Sequence, residues 1–172
     1  MSDSTLSISS MSYEKKDDVR ILTSCLSKWF SNPKVLNFVS PSMSYPFKIK
    51  QWINQSYSNQ NKTLVLKLDN WIIGHLSVRM NNQTKSAHIF HLIIDPEQQQ
   101  KGYGKKLISH AEKLITKNNL KKITINVLIN NQTAKNFMKK MVLKFSELVN
   151  LEKLKCLKIW RNNNLLFYWF NK

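Results

Sequence analysis

Glycine is scarce in this chain, and its placement restricts the fold more than any other feature of the sequence. The 172 residues contain only three glycines. Average usage of about 7% would give about twelve. Two of the three, Gly102 and Gly104, lie between an apolar segment that ends at Ile94 and an amphipathic segment that begins near Lys105. Because glycine permits left-handed backbone and the close approach of other atoms, we expect a turn here in which side chains would not be tolerated.

Hydrophobic periodicity predicts the elements on either side of this turn. Alternating apolar residues predict strands over 63–68, 71–78, 87–94 and 123–127, and a closing hairpin over 154–160 and 165–170. Helical spacing predicts helices over 15–30, 105–117 and from 131 onward, with shorter helical segments near 35–39 and 47–57. Residues 1–10 are either a frayed end or a first strand. The length favours one domain over 1–172, and the order of elements indicates an α+β or layered α/β fold.

The order of strand, glycine turn and helix N-terminus is typical of a phosphate-binding site. Backbone N–H groups converge at such a turn, and the helix dipole adds a partial positive charge. A Walker loop needs a hydroxyl after its Gly-Lys pair to hold magnesium, but Gly104 and Lys105 are followed by Lys106. The dinucleotide fingerprint needs a third small residue, and this chain has Leu107 there. The sequence therefore predicts a phosphate ligand of another class.

The loop resembles the signature of a known family. Segment 94–107, IDPEQQQKGYGKKL, is similar to that of the GCN5-related N-acetyltransferases, the GNAT family, whose core is Gln/Arg-x-x-Gly-x-Gly/Ala. Gln99, Gly102 and Gly104 match this core, and Pro96 supplies the proline that members have upstream. Segment 29–35 resembles the branch that contains ribosomal-protein N-acetyltransferases and enzymes that acetylate aminoglycosides or polyamines.

A second motif of the family follows the next predicted strand. Asn131, Ala134 and Phe137 match its Asn-x-x-Ala sequence and the aromatic-rich helix after it. Two positions depart from the pattern, since Met138 stands where many members have tyrosine and Val142 where most have glycine. A thioether cannot donate a proton, so Met138 leaves the usual general acid of the family unaccounted for.

The resemblance implies a fold, a reaction and a set of cofactor-binding residues. The fold would be α+β, with a mixed, mostly antiparallel central sheet of about six or seven strands flanked by helices. The reaction would move an acetyl group directly from acetyl-CoA to a primary amine of a protein N-terminus, a lysine or a small molecule, and no metal is implied. The implied CoA-binding residues are Leu92, Ile93 and Ile94 on a strand edge, Gln99, Gln100, Lys101, Gly102, Tyr103, Gly104 and Lys105 in the loop, and Asn131. Asn131 would either contact the pantetheine arm or only cap its helix.

Two histidines on the strand before the loop are the candidates for a catalytic base. An alkyl amine, with a pKa of about 10.4, must lose a proton near neutral pH. His88 occupies a position where some family members have glutamate. Period-2 alternation predicts that Phe90, Leu92 and Ile94 share the face of His88, and that His91 lies on the other unless a bulge intervenes. His88 is the first candidate and His91 the second, with a hydrogen-bonded structural histidine as the alternative for each.

The net charge of +17 suggests an anionic partner. Residues 101–172 hold 16 of the 27 cations and three of the ten acids, so an anion would meet the C-terminal part. Arginine reads phosphates and base edges bidentately, and only three of the cations are arginine. This favours a mainly solvating surface with a weak electrostatic contact to RNA or the ribosome. The alternatives to an enzyme are a basic RNA- or DNA-binding module and a CoA-binding relative without catalysis.

The acceptor site and the environment of the protein are less constrained. In the family the acceptor lies between the first helices and the last hairpin, where the candidate contacts are Glu14, Asp17, Asp18, Tyr45, Trp52 and Trp160. The longest apolar run, 165–170, is far shorter than the about 20 residues that cross a bilayer, so we expect no membrane contact. The N-terminus has no apolar signal segment, and two cysteines form no disulfide framework, so we expect a cytoplasmic protein. Monomer and homodimer both stay open.

Overall fold

A seven-stranded sheet forms the centre of the part of the chain that the structure describes. This computed structural model describes residues 4–57, 61–148, 158–162 and 165–171, with side chains as far as residue 141. The strands are β1 Leu6–Met11, β2 Asn61–Leu68, β3 Trp71–Asn81, β4 Ser86–Ile94, β5 Lys122–Leu128, β6 Lys158–Asn162 and β7 Leu165–Asn171. Their order across the sheet is β1-β2-β3-β4-β5-β7-β6.

Five α-helices lie within the described residues and flank the sheet. They are α1 Lys16–Trp29, α2 Pro33–Val39, α3 Ile49–Ser56, α4 Tyr103–Lys117 and α5 Gln132–Leu148. The start of α2 is encoded locally, because Asn32 Oδ1 accepts the N–H of Lys34 at 2.9 Å and Pro33 fills the first helical position. None of the described helices combines the length and the apolar character needed to cross a bilayer.

One strand pair differs from the rest of the sheet. All neighbouring strands are antiparallel except β4 and β5, which are parallel. Their pairing joins only 86–89 to 122–125. Farther along, β4 stays paired with β3 and β5 with β7, so β4 and β5 separate and a cleft opens between them. The expectation of a mixed, mostly antiparallel sheet of six or seven strands is confirmed.

Apolar side chains pack on both faces of the sheet. On one face, which we call the α4–α5 face, the buried residues include Leu64, Leu76, Ile89, Leu107 and Ile115. On the other, the α1–α3 face, they include Leu22, Leu26, Trp52, Val65 and Ile93. The sheet is therefore covered on both sides, and an added ligand can reach its main chain where two strands separate.

Most predicted elements agree with the structure, with shifts at their ends. Residues 6–11 of the N-terminal segment form strand β1. Helix α4 begins at Tyr103, two residues before the predicted Lys105, because Gly102 takes the N-cap position with φ +82°. Gly104 thus lies in the first helical turn. The predicted strand over 154–160 is described only from Lys158 onward, and its earlier part lies outside the described residues.

A β-bulge interrupts β4 at His91. Ser77 on β3 pairs with Phe90, but His75 pairs with Ile93, so β4 contains one residue more than β3 over this stretch. His91 has φ +52°, in the left-handed region that few non-glycine residues adopt. The extra residue shifts the alternation of side chains on β4 by one position.

The predicted shared face of four β4 side chains is therefore wrong. His88 and Phe90 lie on the α1–α3 face, whereas Leu92 and Ile94 pack on the α4–α5 face. His91 also lies on the α1–α3 face, where its ring stacks on Trp52 with centroids 3.9 Å apart. Period-2 counting failed because it assumes an uninterrupted strand.

Candidate functional site

A cleft of about 570 Å³ occupies the space where β4 and β5 separate. Residues of α2 and α3 line it on the α1–α3 face, and residues of α5 line it on the α4–α5 face. Among the predicted site residues, the cleft is lined by His88, His91, Leu92 and Asn131. The cleft thus joins both faces of the sheet through a gap between two strands.

The open edge of β4 forms one wall of the cleft. From Phe90 to Ile94, β4 pairs with β3 but not with β5. The side chains of Leu92 and Ile94 pack on one face and that of Ile93 on the other, so the main chain is what this edge presents. Gln99 Nε2 donates to the carbonyl oxygen of Ile94 at 3.1 Å. An unpaired strand edge can pair with an extended ligand.

The glycine loop connects this edge to α4. Asp95 Oδ1 accepts the N–H of Glu97 at 3.0 Å, at the start of a short 3-10 helix over Pro96–Gln98. Gln100, with φ +64°, and Gly102, with φ +82°, are both left-handed, and together they turn the chain into the helix. Sequence reasoning located the turn and its glycine at 102, but nothing in the pattern indicated a left-handed Gln100.

The N-terminus of α4 offers backbone donors to an anion. The first N–H groups of a helix have no intrahelical partner, and Gly102 supplies no side-chain cap. The first turn contains no acidic residue, and the side chains of Lys101, Lys105 and Lys106 are exposed beside it. The dipole and the lysines therefore favour negative charge at this point.

The two loop glycines differ in what the fold requires of them. Gly102 needs its left-handed backbone, as expected. Gly104 does not need to be glycine for packing, because a Cβ there would come no closer than 3.5 Å to Phe137, an ordinary contact. The expectation that neither glycine could carry a side chain is thus wrong for Gly104 in the protein alone. The tightest glycine is Gly74 on β3, whose Cβ would lie 2.7 Å from Ile94 Cδ1.

Asn131 caps α5 at the edge of the cleft. Its Oδ1 accepts the N–H of Ala134 at 3.1 Å, and its carbonyl oxygen accepts the N–H of Lys135 at 3.0 Å. The capping alternative is therefore present in the structure. The residue also lines the cleft, so the capping bond and a ligand contact are compatible.

His88 is a half-buried histidine whose tautomer is assigned by its neighbours. Thr124 Oγ1 donates to the carbonyl oxygen of Ala87 at 3.3 Å, so this hydroxyl accepts from His88 Nδ1, 2.9 Å away. Nε2 of the neutral ring is then an acceptor. Burial first, and the guanidinium of Arg79 second, lower the pKa of His88 below its usual value.

His91 is buried, and both of its ring nitrogens are bonded. Ser40 Oγ donates to Gln55 Oε1 at 2.9 Å and accepts from His91 Nε2, which lies 3.2 Å away. Ser56 Oγ therefore donates to His91 Nδ1, at 3.0 Å. Burial is the main cause that lowers the pKa of His91 to about 3.

A second buried histidine, His75 on the neighbouring strand β3, is hydrogen-bonded to the bulge. His75 Nδ1 donates to the carbonyl oxygen of His91 at 3.0 Å, and His75 Nε2 accepts from the hydroxyl of Tyr13 at 3.1 Å. Trp52 Nε1 donates to the same hydroxyl oxygen at 3.2 Å. Burial lowers the pKa of His75 to about 4. This network fixes the left-handed conformation of His91. No local sequence pattern predicts it, because its members lie up to 78 positions apart.

Three further residues line the cleft near His88. Arg79, opposite His88 on β3, places its guanidinium 5.1 Å from the ring centroid of Phe90. Met138 is buried and lines the cleft from α5, and its thioether cannot donate a proton. Sequence reasoning missed Arg79 and Phe90, although an arginine in a chain so rich in lysine was a usable signal.

The candidate acceptor contacts are not brought together. Trp52 is fully buried, Glu14 accepts a hydrogen bond from Tyr57, and Asp17 pairs with Arg20 on the surface of α1. Tyr45 is exposed but does not line the cleft. The side chain of Trp160 lies outside those described. Acidic residues therefore do not form the wall of the cleft in the part of the chain with described side chains.

Comparison with known proteins identifies the family. A family model described as the acetyltransferase (GNAT) family matches residues 26–142, more than half of the chain. The chain belongs to the GNAT family. It is an acetyl-CoA-dependent N-acetyltransferase, with acetyl-CoA as cosubstrate and an amine as acceptor. A nucleic-acid-binding module and a CoA-binding relative without catalysis are not favoured.

Solved GNAT structures share the fold over nearly the whole chain. The PaiA N-acetyltransferase from Thermoplasma acidophilum in complex with coenzyme A has a TM-score of 0.68 and 17% identity, over 98% of this chain and 99% of that one. The ribosomal-protein-S18-alanine N-acetyltransferase from Escherichia coli has a TM-score of 0.67 and 13% identity, over 97% and 94%. The spermidine N-acetyltransferase from Vibrio cholerae in complex with CoA and spermine has a TM-score of 0.61 and 21% identity, over 96% and 95%. A search of curated protein sequences finds no match.

Proposed function

We propose that this GNAT enzyme binds the CoA diphosphate at the loop of Gln99–Lys105 and the pantetheine arm along the open edge of β4. The observation that carries the proposal is the separation of β4 from β5, which leaves 90–94 without a strand partner on the side of the cleft. That edge leads directly into the N-terminus of α4, where backbone donors and exposed lysines favour an anion.

The residues present fit this cosubstrate. A Cβ on Gly104 would make only ordinary contacts with Phe137 and Ile94, so packing does not require glycine at this second position of α4, next to the first-turn N–H groups. Leu92, Ile93 and Ile94 would pair through their main chain, as an added strand does. Asn131 would contact the arm while its Oδ1 keeps the cap of α5. Gln100, Lys101 and Tyr103 belong to the same loop and complete the proposed binding residues.

We assign the role of general base to His88. When bound, acetyl-CoA supplies an activated acetyl thioester. The protein must provide a group that removes a proton from the acceptor amine. His88 lines the cleft, its lowered pKa keeps it neutral at pH 7, and the bond from Nδ1 to Thr124 leaves Nε2 as the proton acceptor.

His91 takes a different role. Both of its nitrogens are bonded to serines, and its pKa of about 3 makes it a weak base, so we propose that it positions the bulge rather than moves a proton. No described side chain replaces the tyrosine acid of the family at Met138. The thiol of CoA has a pKa of about 8.5, so its thiolate can depart without a strong acid, and the reaction does not require one.

We also propose a cytoplasmic location and a weak electrostatic contact between the basic surface and polyanions such as RNA. Cys25 is a free, half-exposed thiol, which suits a reducing compartment. Exposed lysines on α4 and α5, among them Lys113, Lys117, Lys139 and Lys140, supply the charge. Such a contact is electrostatic, so its affinity should fall steeply as salt rises. Filter binding of RNA that does not weaken with salt would contradict it.

Calorimetry with CoA tests the cosubstrate site. Gly104→Glu places a carboxylate at the proposed diphosphate site, while a carboxylate in the first turn of a helix does not harm the helix itself. We expect at least a tenfold loss of CoA affinity, by the loss of charge-assisted hydrogen bonds. Lys117→Gln, in the last turn of the same helix, makes an equal change of net charge and should bind like the natural protein. Equal affinity of both variants would reject the loop as the binding site.

A further inference from the structure

We infer that the preferred acceptor is a small primary amine that also carries an anionic group, a carboxylate or a phosphate, and that Arg79 binds this group. The inference rests on the proposed function, because it places the acceptor amine beside His88 in the cleft between β4 and β5. It adds a substrate class and a specificity-determining residue.

Arg79, His88 and Phe90 form one row along the cleft. Arg79 and His88 are directly opposite each other on β3 and β4, and such pairs have Cβ atoms about 5 Å apart. The rings of His88 and Phe90 lie nearly parallel with centroids 6.1 Å apart. The guanidinium of Arg79 lies 5.1 Å from the centroid of the same Phe90 ring. A short molecule can therefore reach His88 with its amine and Arg79 with its other end.

The charge of Arg79 is not compensated among the residues with described side chains. The ion pairs there join Arg20 to Asp17 and Lys28 to Glu97, both outside the cleft. The lining residues include no aspartate or glutamate. Arg79 is exposed to the cleft, and its guanidinium lies over the Phe90 ring with no carboxylate partner among the described side chains, so a ligand can supply one.

The choice of arginine points to an oxyanion. This chain carries lysine at 24 positions and arginine at only three, Arg20, Arg79 and Arg161. A guanidinium presents a planar fork of donors that matches a carboxylate or a phosphate bidentately, which an ammonium cannot do. Because this chain otherwise uses lysine, an arginine in the cleft is consistent with a ligand group that is bound bidentately.

The same charges disfavour a polyamine acceptor. A second ammonium group on the acceptor would lie against Arg79 with no described acid in the cleft to neutralise it. The net charge of +17 also repels polycations and attracts anions over the whole surface. The acceptor that suits the cleft therefore differs from the spermine that is bound in the Vibrio cholerae structure.

Matched acceptors test the inference. Thiol release at saturating acetyl-CoA is measured with γ-aminobutyrate, phosphoethanolamine, butylamine and diaminobutane, and with a short peptide whose N-terminal residues carry no acid. We expect the highest kcat/KM with one of the two anionic amines and the lowest with diaminobutane. The comparison of γ-aminobutyrate with phosphoethanolamine shows whether a carboxylate or a phosphate is preferred.

Arg79 variants connect the preference to the residue. Arg79→Gln should lower kcat/KM for the preferred anionic amine at least about tenfold more than that for butylamine, because any effect through the pKa of His88 is common to both acceptors and cancels in the ratio. Arg79→Lys should recover only part of the loss, because it restores the charge without the fork. Arg20→Gln is the matched control on the surface of α1 and should leave every acceptor unchanged.

Two outcomes would overturn the inference. One is a kcat/KM of the natural protein that is higher for diaminobutane or for the peptide than for both anionic amines. The other is an Arg79→Gln variant that loses activity equally on butylamine and γ-aminobutyrate. If CoA binds but no amine is acetylated, NMR titration of the CoA-saturated protein with γ-aminobutyrate and with phosphoethanolamine decides the question. Arg79-dependent binding of either then supports the site, and binding that Arg79→Gln leaves unchanged rejects it. Loss of CoA binding by the natural protein would instead be a failure of the proposed function.

Discussion

His88 and His91 are three positions apart on one strand and lie on the same face of the sheet, yet their surroundings differ in every respect that matters for proton transfer. His88 has one nitrogen bonded, to Thr124, and Arg79 beside it. His91 has both nitrogens bonded, to Ser40 and Ser56, and its ring is covered by Trp52. The first can exchange a proton with a ligand in the cleft, and the second is part of the core.

The bulge is the reason that the two environments can lie so close together. Before it, β4 is paired on both sides, and after it only β3 remains as a partner. His91, in the left-handed conformation, uses its carbonyl oxygen and both ring nitrogens to hold that change of pairing. His91 thus holds the bulge at which the cleft begins, and His88, the proposed base, lines the cleft.

Removing His88 should have the largest effect on turnover. His88→Ala deletes the proposed base, and general-base catalysis contributes about 10²–10⁴-fold, so kcat should fall by that amount. The free energy of unfolding in urea should change by less than about 1 kcal/mol, because the ring lines the cleft and is only partly buried. His110→Ala, an exposed histidine on α4, is the matched control and should keep full activity. Full turnover by His88→Ala at neutral pH would remove His88 from the mechanism.

Removing His91 should act mainly on folding. His91→Ala leaves the hydroxyl of Ser56 without its acceptor and empties the space against Trp52, so the free energy of unfolding should drop by about 2–4 kcal/mol. Urea denaturation measures this change. If the variant instead keeps its stability and loses kcat as His88→Ala does, the two roles assigned to these histidines are reversed.

Local patterns in the sequence predicted the elements around the cleft, but they did not predict the surroundings of His91. The glycine loop, the apolar stripe of α4 and the cap at Asn131 are local patterns, and each was located to within two residues. The position of His88 followed from the family resemblance. The role of His91 did not, because a left-handed histidine has no local signature and its partners Tyr13, Ser40 and Trp52 come from distant segments.

Mild acid should destabilise the fold through the buried histidines. The folded pKa values of His75 and His91, about 4 and about 3, lie below the unfolded value of about 6.5, so the unfolded chain binds more protons. Their contribution is therefore complete above pH 6.5 and is lost as pH falls toward 4. Lowering the pH from 7.5 to 5.5 should cost about 2–3 kcal/mol in all.

Urea titrations at several pH values measure this linkage. His91→Ala should lose about half of the pH dependence between 6.5 and 5, whereas His110→Ala should keep all of it. An unfolding free energy that is flat over this interval would mean that these rings are not buried in neutral form.

Thr124→Val should have the smallest effect and the most specific one. The change removes the acceptor that orients His88 and fixes its tautomer, while valine keeps the shape of the side chain, so kcat should fall only about 3–10-fold. An acceptor at Nδ1 favours the protonated ring, so the hydroxyl of Thr124 should oppose the lowering of the His88 pKa by burial. Without it that pKa falls further, and the acidic limb of the kcat/KM profile should move to lower pH. Thr124→Ser, which retains the hydroxyl, should restore both the rate and the position of the limb. A merely structural role for Thr124 predicts a lower rate with an unmoved limb, so the direction of the shift decides whether Thr124 positions the base.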